Sequence, residues 1–89
     1  DWQTSPTDFS AVQLERVNPA KNERRFYYLA WQPTLFDGHA VVRMWGRKDG
    51  PPRQQATPFP SLDEAWPLVR SLVKRRLRHG YEVIAPNRI

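Results

Sequence analysis

SLDEAWPLVRSLVKRRLRHG, residues 61–80, is the stretch on which the fold turns. Ser61 followed by Glu64 is a capping box, in which the hydroxyl accepts from an orphan amide of the first turn and the carboxylate reaches back to the cap residue's own amide. At about 100° per residue, Leu62, Ala65, Trp66, Val69, Leu72, Val73 and Leu77 fall within an arc of roughly 140°, the stripe that a helix lays on a sheet. Gly80 supplies the stop. Pro67 lies past the first turn, where its missing amide and its ring cost about 3 kcal/mol or distort the helix, so a local kink is expected there. Arg76 falls inside the apolar arc and must snorkel, pair with an acid or reach past the sheet edge.

Everything upstream reads as strands. From Phe9 the chain alternates, with Val12 and Leu14 between Gln13 and Glu15, until Asn18-Pro19 breaks the run. Arg24-Arg25 then precedes Phe26-Tyr27-Tyr28-Leu29-Ala30-Trp31, the densest strand signal of the chain, which Pro33 ends. The turn dipeptide Asp37-Gly38 leads into a third strand, Ala40-Val41-Val42-Arg43-Met44-Trp45. Glycine, proline and charge from Gly46 to Arg53 form an exposed loop, and Gln54 to Phe59 is a short fourth strand that Pro58 and Pro60 confine to an edge. Downstream of the helix, Tyr81 to Ile84 is a last short strand. Strands followed by one helix, without the alternation of a parallel sheet, are an α+β pattern. The expected architecture is a small twisted antiparallel sheet of four or five strands with one long helix packed across one face. Residues 1–8 lack periodicity and are expected to be a loose N-terminal segment, 9–84 a single domain and 85–89 a tail.

Composition bounds the function. The chain has 89 residues, 39% of them apolar, with eleven aromatics and no cysteine. That is enough for one small domain whose core leans on large side chains, and it excludes disulfide scaffolds, thiolate zinc sites and cysteine nucleophiles. His39 in a turn and His79 at the helix end have no partners at ligand spacing, and Asp63 and Glu64 are accounted for by capping and by the helix dipole. No catalytic group, metal, cofactor or small-molecule substrate is expected. No run reaches the roughly 18 apolar residues of a membrane span and no leader opens the chain, so a bacterial cytoplasmic location, at the nucleoid or apart from it, is expected. With Asp1 first and Met44 the sole methionine, the chain is expected to be part of a longer protein.

The fourteen Lys and Arg outnumber nine Asp and Glu, giving a net charge of +5, so an anionic partner is expected. Arg70, Lys74 and Arg78 recur at helical spacing on the side away from the apolar arc. They form either a solvated helix face or a phosphate-binding stripe. On the third strand, period two places Arg43, Trp45 and Arg47 on one face, although a bulge at Gly46 would switch it. A tryptophan between guanidiniums suits stacking on a base or sugar with phosphates on either side. It equally suits a structural ring covered by its arginines.

Trp45-Gly46-Arg47, preceded by Val41-Val42-Arg43-Met44 and by Arg25-Phe26-Tyr27-Tyr28-Leu29, resembles the WGR domain, named for that tripeptide. The order continues with a glycine-containing loop, the helix opening Ser61-Leu62-Asp63-Glu64-Ala65, and Lys74 through Gly80-Tyr81 at its close. The chain is most similar to the short bacterial WGR proteins. In DNA-dependent poly(ADP-ribose) polymerases the domain binds DNA near a strand break, contacts the 5′ end and relays binding to neighbouring domains. The resemblance therefore implies that Trp45 stacks on the sugar at a break terminus, Gly46 permits close backbone approach, and Arg47 contacts nucleic acid or a neighbouring domain. The chain departs from the family pattern after the tripeptide, where Lys48-Asp49-Gly50-Pro51-Pro52-Arg53 replaces a hydrophobic residue and a glycine ahead of further basic residues. The expected function is non-catalytic nucleic-acid binding, to DNA ends or breaks, with Trp45 as platform and Arg43, Arg47, Lys48 and Arg53 as phosphate ligands. Arg70, Lys74 and Arg78 extend the electrostatic footprint. The alternative is a protein-interaction or regulatory module docking an acidic partner or a neighbouring catalytic domain.

Overall fold

The structure, a computed structural model, describes residues 2–35 and 38–88, with side chains through Ile84. Among the described residues, five strands and one α-helix follow in the order β1 (Phe9–Asn18), β2 (Glu23–Pro33), β3 (His39–Arg47), β4 (Arg53–Phe59), α1 (Leu62–Arg78) and β5 (Glu82–Arg88). One antiparallel sheet has the order β4-β3-β2-β1-β5, which is the expected α+β architecture with five strands. Asn18-Pro19 breaks the first hairpin as read, opening a 3₁₀ turn that Asn22 closes at φ 51°. At the second hairpin Thr34 donates its amide to the Gly38 carbonyl at 2.8 Å, whereas Asp37 of the expected turn dipeptide lies outside the described residues. β4 forms one edge with Pro58 inside it, where a missing amide is tolerated.

The helix stops as read, and at its start one of the two capping bonds forms as read. The Glu64 amide donates to Ser61 Oγ at 3.2 Å, while the Glu64 carboxylate accepts from that hydroxyl at 3.5 Å rather than from the cap amide. The helix passes Pro67 as one continuous element, with the ring exposed. At the far end Gly80 adopts φ +87°, its amide donates to Leu77, and the Tyr81 amide donates to Arg76, the paired bonds of a Schellman stop. Ala65, Trp66, Val69, Leu72 and Val73 are buried against Val12, Leu14, Tyr27, Leu29 and Val41. Leu77 departs from the expected stripe and is exposed, because it lies in the last turn.

The topology sets where the sheet stays uncovered. The helix enters from the end of β4 at one edge and must deliver the chain to β5 at the other, so it crosses diagonally. The corner where β3 meets β4, at the Trp45 end, is left outside its shadow. The N-terminal stretch has no regular structure before β1, yet Trp2 stacks on Trp66 with ring centroids 5.7 Å apart and accepts the Trp66 indole N–H on its carbonyl at 2.9 Å. β5 continues to Arg88, beyond the expected end near Ile84.

Candidate nucleic-acid interface

Register decides which side chains meet. β2 and β3 pair without interruption from Arg25 opposite Arg47 to Pro33 opposite His39, so Gly46 introduces no bulge and Arg43, Trp45 and Arg47 share the helix-covered face. Arg53 pairs with Trp45, and Gln55 with Arg43, across the β3–β4 ladder, which brings both to the same face. Gly46 has φ +150°, a conformation that side-chain-bearing residues rarely adopt, and a Cβ there would touch Pro51 and Pro52 at 3.6 and 3.7 Å. The glycine thus lets the strand end turn under a proline loop that folds back across it.

Trp45 is half-buried and packs on the edge of the core. Its ring lies 6.2 Å from that of the buried Tyr27, and the Arg43 guanidinium sits 5.0 Å above it. Arg43 is held in turn: Nη1 donates to the Tyr27 hydroxyl at 3.1 Å, while Nε, at 3.1 Å, and Nη2 donate to Gln55 Oε1. Held by these three hydrogen bonds, Arg43 braces the indole. Arg47 reaches Asp49 and the Asn22 carbonyl only at 3.4 Å, and exposed Arg53 has no partner among the described residues. Register puts both on the sheet face that carries the ring, Arg53 opposite Trp45 and Arg47 two residues along β3.

Other residues singled out in the sequence lie elsewhere. Lys48 donates to Glu15 at 2.9 Å, and Glu15 projects from the opposite face because its neighbour Leu14 is core. Arg70, Lys74 and Arg78 follow Trp66 around the helix, on the flank against which Trp2 packs, and Arg70 donates to the Gln3 carbonyl at 3.0 Å. Leu68 and Leu72 lie on the other flank, so the structure does not bring this stripe to the Trp45 corner.

Four residues not read as site residues, Tyr27, Arg76, Arg25 and Arg16, belong to the neighbourhood. Tyr27 links Arg43, Trp45 and Arg76, whose guanidinium lies 4.2 Å above its ring. Arg25 stands directly between Arg16 and Arg47 in one cross-strand row. Counting back from each hairpin would reveal that row, but only once the turn lengths are known. At its β1 end the Arg16 guanidinium donates to Glu23 at 2.6 Å and to the His79 carbonyl at 2.7 Å. The bond from Arg16 is the main reason that the Glu23 carboxyl is held below the usual carboxylate range.

Among the described residues no group of His, Cys, Asp or Glu could hold a metal, and no helix is long and apolar enough to cross a membrane. The sequence profile of the WGR domain matches residues 10–88. An uncharacterised protein, y4dW, of Sinorhizobium fredii (strain NBRC 101917 / NGR234) is 28% identical over 70 residues, which cover 79% of this chain and 34% of that protein. The chain thus spans about a third of the length of this curated relative. No solved structure matches it. With the tripeptide at the end of β3 and the profile matched over nearly all of the chain, the protein belongs to the WGR domain family, a family of small nucleic-acid-binding domains that are not themselves catalytic.

Proposed function

We propose that this domain binds DNA at ends or strand breaks, with Trp45 as the platform on which the terminal sugar or base stacks and Arg47 and Arg53 as phosphate ligands. The observation that carries the reading is the half-exposed indole in register with Arg53 and on the same face as Arg47, braced from within by Arg43 and Tyr27. A ring that stacks on a terminal residue needs one open face and a rigid support, because a mobile platform loses ordering entropy on binding. Gly46 contributes a strand conformation, φ +150°, that leaves room for the Pro51-Pro52 loop next to the strand.

Phosphate contacts supply affinity without reading sequence, and no element at the Trp45 corner has the shape of a major-groove reader. Preference for a break therefore arises from the stacking surface, which an uninterrupted duplex cannot reach. Lys48, engaged by Glu15 on the other face, is left out of the contact set, and Arg70, Lys74 and Arg78 act through the long-range field.

The test is a titration of blunt, nicked and closed circular duplexes of matched length, with and without a 5′ phosphate. Tighter binding to blunt and nicked duplexes than to the circle supports end recognition. Equal affinity for all of them reduces the interaction to charge attraction. Absence of binding at low salt transfers the surface to an acidic protein partner.

A further inference from the structure

Arg76 presents a half-buried guanidinium with no acid beside it. It enters from the last turn of the helix and lies over Tyr27 at 4.2 Å and Tyr81 at 5.9 Å. Its Nε is enclosed and has no hydrogen-bond partner, and no acceptor among the described residues takes its terminal nitrogens, which reach solvent. Leaving a charged donor unsatisfied in a partly enclosed place is costly, the tyrosine rings offset that cost only in part, and the terminal nitrogens are open to an acceptor from outside.

The neighbouring row makes the same demand independently. Arg16, Arg25 and Arg47 stand directly opposite one another on three adjacent strands, and like charges at this position destabilise a sheet. Glu23 answers Arg16 at 2.6 Å but is 3.9 Å from Arg25, whose side chain is half-exposed, and Asp49 is 3.4 Å from Arg47. Two carboxylates thus face four guanidiniums, counting Arg76. The negative end of the helix dipole, where Arg16 donates to the His79 carbonyl, offsets part of this excess without supplying a full counter-charge.

Resting on the reading of Trp45 as a stacking platform, we propose that Arg25 and Arg76 form a second phosphate-binding subsite beside Tyr27, which takes a backbone phosphodiester of the strand whose end stacks on Trp45. Tyr27 separates the two halves: its ring carries Arg76, its hydroxyl carries Arg43, and its strand neighbour is Trp45. The bound strand then runs from Arg53 across the indole toward the helix C-terminus. The guanidinium fork suits this ligand, since planar paired donors match phosphate oxygens.

The test begins with side-chain Nε–Hε signals of the ¹⁵N-labelled domain titrated with inorganic phosphate against chloride at equal ionic strength. The enclosed Arg76 proton exchanges slowly and gives a resolved signal, identified by its loss in Arg76→Met. Saturable shifts of the Arg76 and Arg25 signals with phosphate alone are expected. Arg76→Met and Arg25→Gln are each expected to weaken binding to a nicked duplex about five- to tenfold near 0.1 M salt and to lower the log–log salt slope by about one unit. Arg25 is exposed on its strand, so Arg25→Gln carries the test if Arg76→Met does not fold. If the parent binds nicked DNA and Trp45→Ala weakens it, while both arginine variants leave slope and affinity unchanged, the subsite is overturned and the platform stands. Failure of the parent to bind any DNA overturns both.

Discussion

Trp45 and Arg43 divide labour that composition would assign alike to binding. The indole is half-buried at the edge of the core, whereas the guanidinium above it donates to Gln55 and to the Tyr27 hydroxyl. Arg43→Lys keeps the charge and loses the planar fork, so it is expected to weaken DNA binding about two- to fivefold with the salt slope unchanged. A fall in slope would make Arg43 a phosphate ligand after all. Gly46→Ala is expected to destabilise the domain by about 1–3 kcal/mol, because φ +150° strains any side-chain-bearing residue; thermal or urea unfolding reads this directly. The clustering of Arg43, Trp45 and Arg47 was legible in sequence, since period two is a local property of an extended chain. The side on which Lys48 lies was not. It depends on the loop turning after Arg47, where the Gly50 amide donates to the Arg47 carbonyl and the ammonium is delivered to Glu15.

At the scale of elements, α1 was readable because each of its signals lies within a few residues: cap, stripe and stop. Ser61→Ala is expected to lower stability by about 0.5–2 kcal/mol and leave DNA affinity unchanged, since the cap lies at the helix end remote from Trp45. An affinity loss at unchanged melting temperature would make Ser61 a ligand. The part played by Trp2 was not legible, because residues 2–8 have no period and the indole is placed only by its tertiary partners Trp66 and Phe9. The β1–β2 hairpin carries its own pH dependence. Arg16 donates to Glu23 and depresses its folded-state pKa, so the stabilisation is present above the unfolded value of about 4.3 and is lost as pH falls through the folded one. The melting-temperature gap between the parent and Glu23→Gln is expected to be open at pH 6–8, to begin to narrow below the unfolded value and to close as pH falls through the lower folded one. A gap independent of pH would mean that the carboxylate's charge plays no part.

For the molecule as a whole, an excess of positive charge and one aromatic corner make separable contributions. With a net charge of +5, neutralising about four to six phosphates gives a salt slope of roughly −4 to −5. A flat response would remove nucleic acid as the ligand. The diagonal path of the helix explains why the corner exists: a chain that enters at β4 and must leave for β5 covers the middle of the sheet and leaves the end of β3 open. That path depends on β5 pairing with β1, a long-range choice that hydrophobic pattern alone does not encode. The central claim, that Trp45 reads a DNA end, is tested most directly by measuring the affinity of the parent and of Trp45→Ala for a nicked and a closed circular duplex, with melting temperatures recorded alongside. Loss of the ring is expected to weaken nicked-duplex binding by about 1–3 kcal/mol, with little change on the circle and in the salt slope. A folded Trp45→Ala domain that binds the nick as tightly as the parent, or loses affinity equally on both duplexes, would contradict the account.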